Sequence, residues 1–586
     1  MKLFPLFPAL ALLAAPAFAG DPAFDAWVDQ LTADAVRADP NSATATQYFS
    51  GAEQDALDRQ LTPVTKAYRA GRVAFARQAL ADLAALDRQK LDPQQVVSAR
   101  IIEWHMQQVV ARDAFADHAA VFNQFWGLHV TLVNFLSQQH PVRNRRDIEN
   151  YLARLELVPA RVDEGIAVAR DAAARGFLMP DFITEASINQ LDRFLGDRVS
   201  KNVLVTSLDE RAAKVEGLSA ADRAAFLAAA EKTVREAVIP AFARVRSLLQ
   251  EQLGRATADA GLWRLPDGDK AYAAALAYYT TTSLSPQEIH ETGLKEVARI
   301  EAEMDRLFRE IGYDKGSVKD RYDQLTHASQ PFAESDQRPG ILIRYQEYLD
   351  DAVHRAQDYF DLQPKAPCVV KREPPFTEQT AAAHYSVPAR DGSRPGVFWV
   401  PLPGPTFSIP GMRTLTYHEA IPGHHYQLAL LQEMTGLPRF RQDRIFGGNS
   451  ANPEGWALYA EQLAAEAGWY EGDIPGRLGQ LNAELFRARR LVVDTGLHVK
   501  RWTRQQAIDY GIAASEVDRY VSIPGQACAY KIGQLKILEL RARARAALGR
   551  KFAIKEFHNV VLRAGVVPLA VLETIVNDWI AATKNL

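Results

Sequence analysis

The chain has 586 residues, too many for one compact core, so two or three packed units are expected. Apolar residues make up 47% and charged residues 24%, ordinary values for a globular protein. With 68 basic against 71 acidic residues and a net charge of −3, the chain lacks the basic excess of a nucleic-acid binder.

Lys2, the apolar run Leu3 to Ala15 and the small-x-small site Ala17-Phe18-Ala19 read as a signal peptide over residues 1–19, with Gly20 starting the mature chain. That apolar run is short for a membrane span, and no later run of about 18 apolar residues follows. A periplasmic or secreted protein with no membrane span after leader removal is expected. Two cysteines, Cys368 and Cys528, are too few for a cysteine zinc site; the secretory route permits their pairing without requiring it. Any metal must be held by His, Asp or Glu.

From about 52 to 175 apolar residues recur at helical spacing, with breaks near Asp92-Pro93 and His140-Pro141. A second helical block covers about 208–256, and Leu265-Pro266-Asp267-Gly268 marks a turn. Ser285-Pro286-Gln287-Glu288 predicts a capped helix start, and Gly312 an end after about Ile311. The character changes at 365–410. Val369-Val370 and Val397-Phe398-Trp399-Val400 look like short strands, with a hairpin turn over 390–396. Beyond Pro410 the chain is helical almost to its end. A mostly α fold is predicted, with an N-terminal helical region at 20–260 and a second, carrying a small sheet, at 261–586. The 397–400 strand could take an extended peptide on its edge, with Tyr385 and Arg394 adding side-chain contacts; a purely structural hairpin is the alternative.

The chemistry concentrates at His418-Glu419-Ala420-Ile421-Pro422-Gly423-His424-His425. Helical zinc peptidases place two His four apart with a Glu between them, which shares one helix face and sets the Glu as general base. Here position 422 is Pro. On an unbroken helix His425 would lie ~10.5 Å along the axis from His418, too far to share an ion. If Pro422-Gly423 loop out, His424 falls into the ligand place. His418 and His424 are therefore the expected metal ligands, with His425 the alternative or a substrate contact. Asn452-Pro453 suits a helix start and puts Glu454 in its first turn as third ligand; Glu461, seven residues on, is the alternative or a partner behind the ligands. Zn2+ is the expected ion, with one position left open.

The stretch Tyr417-His418-Glu419-Ala420-Ile421-Pro422-Gly423-His424-His425-Tyr426-Gln427, with 453–461, Asp391-Gly392-Ser393-Arg394-Pro395-Gly396, 494–498 and Pro524-Gly525-Gln526-Ala527, resembles a bacterial family catalogued as a domain of unknown function. That family is similar to zincin-type metallopeptidases with two His and a Glu as ligands. The likeness runs from about residue 25 to the C-terminus. It implies a largely helical fold like that of oligopeptidases, with a deep channel.

Charge that develops on a carbonyl oxygen needs a donor, and His498 and Tyr530 are candidates, with Asp494 able to orient His498. Arg489, Arg490 and Lys531 could anchor a substrate carboxylate. The expected activity is zinc-dependent hydrolysis of short peptides, with Glu419, His498 and Tyr530 catalytic and Tyr385, Arg394, His425, Arg490 and Lys531 contacting substrate. A zinc amidohydrolase or esterase on a non-peptide such as a cell-wall fragment, and a non-catalytic metal-holding binding protein, are the competing readings.

Overall fold

The computed structural model describes residues 20–328, 336–373, 378, 382–388, 392, 394–404, 407 and 409–585. The leader at 1–19, and Arg390, Asp391 and Ser393 of the expected hairpin turn, lie outside them. The architecture is mostly helical with one small sheet. Where the sequence offers a cap, a helix begins. Asp92 and Gln95 close a capping box at the start of the helix Pro93–Asp113, and Ser285 and Glu288 do the same for the helix Pro286–Glu310, after which Gly312 turns at φ +85°.

In chain order the elements that shape the site are α1 (Pro22–Arg37), α2 (Lys66–Ala85), α3 (Pro93–Asp113), α4 (Arg145–Ala174), α5 (Gly268–Thr280), α6 (Pro286–Glu310) and α7 (Arg338–Ala356). The strands β1 (Cys368–Arg372), β2 (His384–Ser386) and β3 (Gly396–Val400) follow. Then come α8 (Met412–Glu419), α9 (His424–Glu433), α10 (Ala451–Glu466), α11 (Ile474–His498) and α12 (Ala529–Leu548).

The largest apolar core gathers Phe24 and Val28 of α1, Ile101 and Ile102 of α3, Tyr272 of α5, Tyr417 of α8, Trp456 and Tyr459 of α10 and Ile537 of α12. The first helices are thus walls of the same core that holds α8 and α10. A second core, built on Tyr151, Leu155 and Val162 of α4, packs against Phe242, Val245 and Leu248.

β3 lies in the middle of the sheet, parallel to β1 (Val370 beside Phe398) and antiparallel to β2 (Tyr385 beside Phe398). This corrects the expectation of a free edge at 397–400, because both edges of that strand are already paired. Cys368 sits on β1 and Cys528 is buried ahead of α12; both are free thiols. Among the described residues no helix is long and apolar enough to cross a membrane.

Candidate metal centre

The helix break that Pro422-Gly423 predicts is present. α8 stops at Glu419, α9 starts at His424, and Ile421-Pro422 is a cis peptide. The connecting loop folds back tightly on the end of α8. A Cβ on Gly423 would stand 1.9 Å from the His418 carbonyl oxygen and 2.3 Å from that of Tyr417, so only glycine fits. Tyr426 N–H reaches over the loop to the Ala420 carbonyl (3.4 Å), and Trp456 of α10 donates its indole N–H to the Pro422 carbonyl (2.9 Å).

The loop brings the His418 and His424 rings to 4.8 Å between centroids, almost perpendicular. Glu454, in the first turn of α10, completes the cluster. Its Oε2 lies 3.5 Å from Nε2 of both histidines. One ligand atom from each residue falls within 4.8 Å of the others. Two atoms there are buried without a hydrogen-bond partner, Glu454 Oε2 and His424 Nδ1. Two imidazoles and a carboxylate, with a buried oxygen unsatisfied between them, suit a divalent ion that prefers nitrogen and oxygen donors.

Glu461, one of the two carboxylates considered for third ligand, takes the position behind His418. Its Oε1 accepts from His418 Nδ1 at 2.7 Å, which leaves Nε2 facing Glu454. Burial opposes a charge on His418, yet Glu454 and Glu461 outweigh it and raise its pKa to about 9. Burial also opposes the Glu454 charge, but the two histidines hold that carboxyl well below the usual carboxylate range. Glu419 is buried beside His418, and desolvation pushes its carboxyl up; no hydrogen-bond or ion-pair partner is recorded for it among the described residues.

His425 is turned away. Tyr385 OH meets its Nδ1 (2.9 Å) and the Ala366 carbonyl its Nε2 (3.1 Å), and burial lowers its pKa to about 4. Both ring nitrogens are spent, and it is His424 that faces His418 and Glu454. Tyr385 packs against this histidine. Arg394 is exposed and lines a cavity beside Leu428 and Leu431 of α9.

Tyr530, in the first turn of α12, stands near enough for the Glu454 charge to add to burial in raising its pKa, while Arg490 and Arg519 pull the other way. The Arg490 guanidinium lies 4.3 Å from the centres of the Tyr530 and Phe486 rings and binds Tyr520 OH (3.0 Å) and Glu516 (2.9 Å). It holds the tyrosine rather than standing open to a substrate, which corrects the expectation of a carboxylate anchor.

Four further expectations are overturned by the partners that packing supplies. His498 has no exposed surface; its Nδ1 accepts from Leu262 N–H (3.1 Å) and its Nε2 meets the Tyr520 carbonyl (3.1 Å). No nitrogen remains for an oxyanion. Asp494 does not orient it, but accepts from Tyr272 OH (2.5 Å) and Gly525 N–H (3.0 Å). Lys531 is fully buried and committed to Glu484 (2.7 Å), Gln534 (2.8 Å) and Glu296 (2.9 Å), and Arg489 is tied to Glu301 (2.8 Å). Sequence reasoning missed Arg487, whose Nη2 lies 3.9 Å from Glu461 and whose charge acts on both His418 and Glu419. It lies seven residues before Asp494 on α11, and nothing local marks it apart from the other arginines there.

Residues 40–576 match the family described as bacterial protein of unknown function (DUF885). The chain belongs to that family. The chain is similar to a solved structure described as "the putative lipoprotein from Colwellia psychrerythraea", at 32% identity and a TM-score of 0.87, covering 95% of this chain and 99% of that one. The fold is shared with "a putative lipoprotein of unknown function from Shewanella oneidensis", at 20% identity and a TM-score of 0.70, covering 96% and 100%. No curated protein matches the chain. Family membership therefore brings a fold and no assigned chemistry, and the side chains must carry the functional reading.

Proposed function

We propose that this DUF885 chain is a metal-dependent hydrolase of peptide-like bonds, holding Zn2+ with His418, His424 and Glu454 as the helical His/His/Glu metallopeptidases do. The observation that carries the reading is the convergence of these three ligand atoms within 4.8 Å, two of them on either side of a helix break that serves no other evident purpose. An ion held by these three residues would supply Lewis acidity.

The chain's own groups divide the remaining work. Glu419 follows a ligand directly, and its buried, unpaired carboxyl is suited to take a proton from water and hand it to a leaving amine. Tyr530 is the hydroxyl donor suited to meet charge on a carbonyl oxygen, and Arg490 against its ring fixes its orientation. Glu461 keeps His418 in the tautomer with Nε2 free. Only 4%, 12% and 21% of the His418, His424 and Glu454 side chains are exposed, so a bond to be cut must enter below the surface. Short peptides can do this; folded proteins cannot. The lipoprotein descriptions of both structural neighbours support work outside the cytoplasm.

Glu419→Gln should keep stoichiometric zinc by elemental analysis and lose at least 1000-fold in cleavage of a mixed peptide library, a loss of ~4 kcal/mol in barrier lowering. Full activity in that variant, or equal zinc content in His418→Ala/His424→Ala, would overturn the reading.

A further inference from the structure

Between α9 and α10 the chain turns through the short helix Arg439–Gln442. The turn ends in a helix-stop pattern, with Ile445 N–H donating to the Phe440 carbonyl (2.9 Å) and Arg444 N–H to that of Arg441 (3.3 Å). The residue that such a stop places in the left-handed region is usually glycine. Here it is Arg444, at φ +55°. Strain of this kind persists where a side chain is needed at that spot.

Among the described residues four other non-glycine residues adopt positive φ, and each spends its side chain on a contact. Gln47 donates to the Thr44 carbonyl (3.0 Å) and Asp267 pairs with Lys270 (2.8 Å). Thr281 accepts from Leu569 N–H (2.9 Å) and Arg501 lies over Trp263 (5.1 Å). Arg444 alone has no such contact among the described residues. Its neighbour Asp443 is already paired with Arg439 (2.9 Å). The guanidinium is reached by solvent, yet enough protein surrounds it that desolvation lowers its pKa.

Arg444 lines a cavity of about 380 Å3 with Tyr278 and Tyr279 of α5, Asn449, Ser450 and Asp443, whose carboxylate is engaged by Arg439. The Ser450 carbonyl accepts the Glu454 N–H (3.1 Å), so this cavity begins one helical turn before the third ligand. Ser450 Oγ also accepts from Gln526 (3.5 Å), on the segment that leads to Tyr530. Ser450 thus ties the cavity to the helix that carries Glu454 and to the segment before Tyr530.

We propose that Arg444 and this cavity form a carboxylate subsite, so that the bond delivered to the metal centre belongs to a peptide with a negative group a short way along it. A guanidinium fits a carboxylate through paired N–H donors, and a peptide offers one at its C-terminus or on an acidic side chain. The proposal rests on the hydrolase reading only in calling the ligand a substrate.

Three probes separate the two sources: acetyl-tetra-alanine as the free acid, its amide, and acetyl-Ala-Glu-Ala-Ala amide. Calorimetric titration into the Glu419→Gln protein, with and without zinc, should show one carboxylate probe binding at least tenfold more tightly than the uncharged amide. The probe that wins identifies the source. In Arg444→Gly and Arg444→Gln the preference should fall below twofold, while Arg444→Gly, relieved of strain, melts no lower than its parent. Equal binding of the three probes, a preference that survives in Arg444→Gly, or no binding of any probe at millimolar concentration overturns the subsite. A carboxylate preference without turnover or zinc in the wild-type protein would keep the subsite and sink the hydrolase reading.

Discussion

His418 meets two carboxylates on opposite ring nitrogens, and they do different work. Glu454 shares the face that points at His424, and Glu461 holds the far nitrogen at 2.7 Å. A carboxylate in that rear position sharpens ligand basicity, so Glu461→Gln should weaken zinc binding 10–100-fold in competition with a chromophoric chelator. An unchanged constant would show that the ring needs no such support. Asp494 offers a test of stability against pH. Burial raises its pKa to about 7, against about 3.9 in an unfolded chain. Between those values the folded state keeps a proton that the unfolded state has released. Stability therefore falls as pH rises through that window, by up to about 1.4 kcal/mol per pH unit, and the loss persists above pH 7. In Asp494→Asn that slope should vanish, so the melting temperature of the variant gains on wild type from pH 5 to pH 8; parallel profiles would contradict the assignment.

At the scale of elements, three glycines fix where His418, His424 and Glu454 stand. Gly423 lets the loop lie on the end of α8. Gly533 of α12 and Gly455 of α10 let those helices touch: a Cβ on Gly533 would come within 2.0 Å of the Ala451 carbonyl oxygen and 2.8 Å of the Gly455 Cα. Since Glu454 adjoins that crossing, Gly533→Ala should cost about 1–3 kcal/mol or more and loosen zinc together, because α10 must move to relieve the overlap. Thermal melting and zinc titration of one sample would test both, and a stable variant with unaltered affinity would separate the crossing from the site. The sheet shows the limit of pattern reading. β2 has three residues, too few for alternation to register, yet its presence turns β3 from an edge into a centre.

For the whole molecule, the centre joins elements that share one core with the first helices of the chain. An ion that binds only the folded state stabilises all of it, by about 2.7 kcal/mol when its concentration is 100 times the dissociation constant. Chelation should thus lower the melting temperature, and zinc should restore it in wild type but not in His424→Ala. A melting point indifferent to chelator would mean that no ion is held. Burial of Lys531, Glu484 and Glu296 in this interior explains why charged residues that look like substrate anchors are structural.

The sequence by itself determined the helical class, the capped starts at Asp92 and Ser285, the break at Pro422-Gly423 and a short list for the cluster: His418, His424 or His425, and Glu454 or Glu461. Each follows from short-range chemistry: a cap, a missing N–H, a glycine, a helix start. Only the tertiary structure brought Glu454 beside both histidines and set Glu461 behind His418, withdrew His425, His498 and Lys531 from the chemistry, and left Arg444 without a side-chain partner among the described residues. Those outcomes depend on groups far away in the chain, such as Leu262 for His498 and Ala366 for His425, which no local pattern places. Whether a polar side chain is free to react depends on which partners the packing puts beside it.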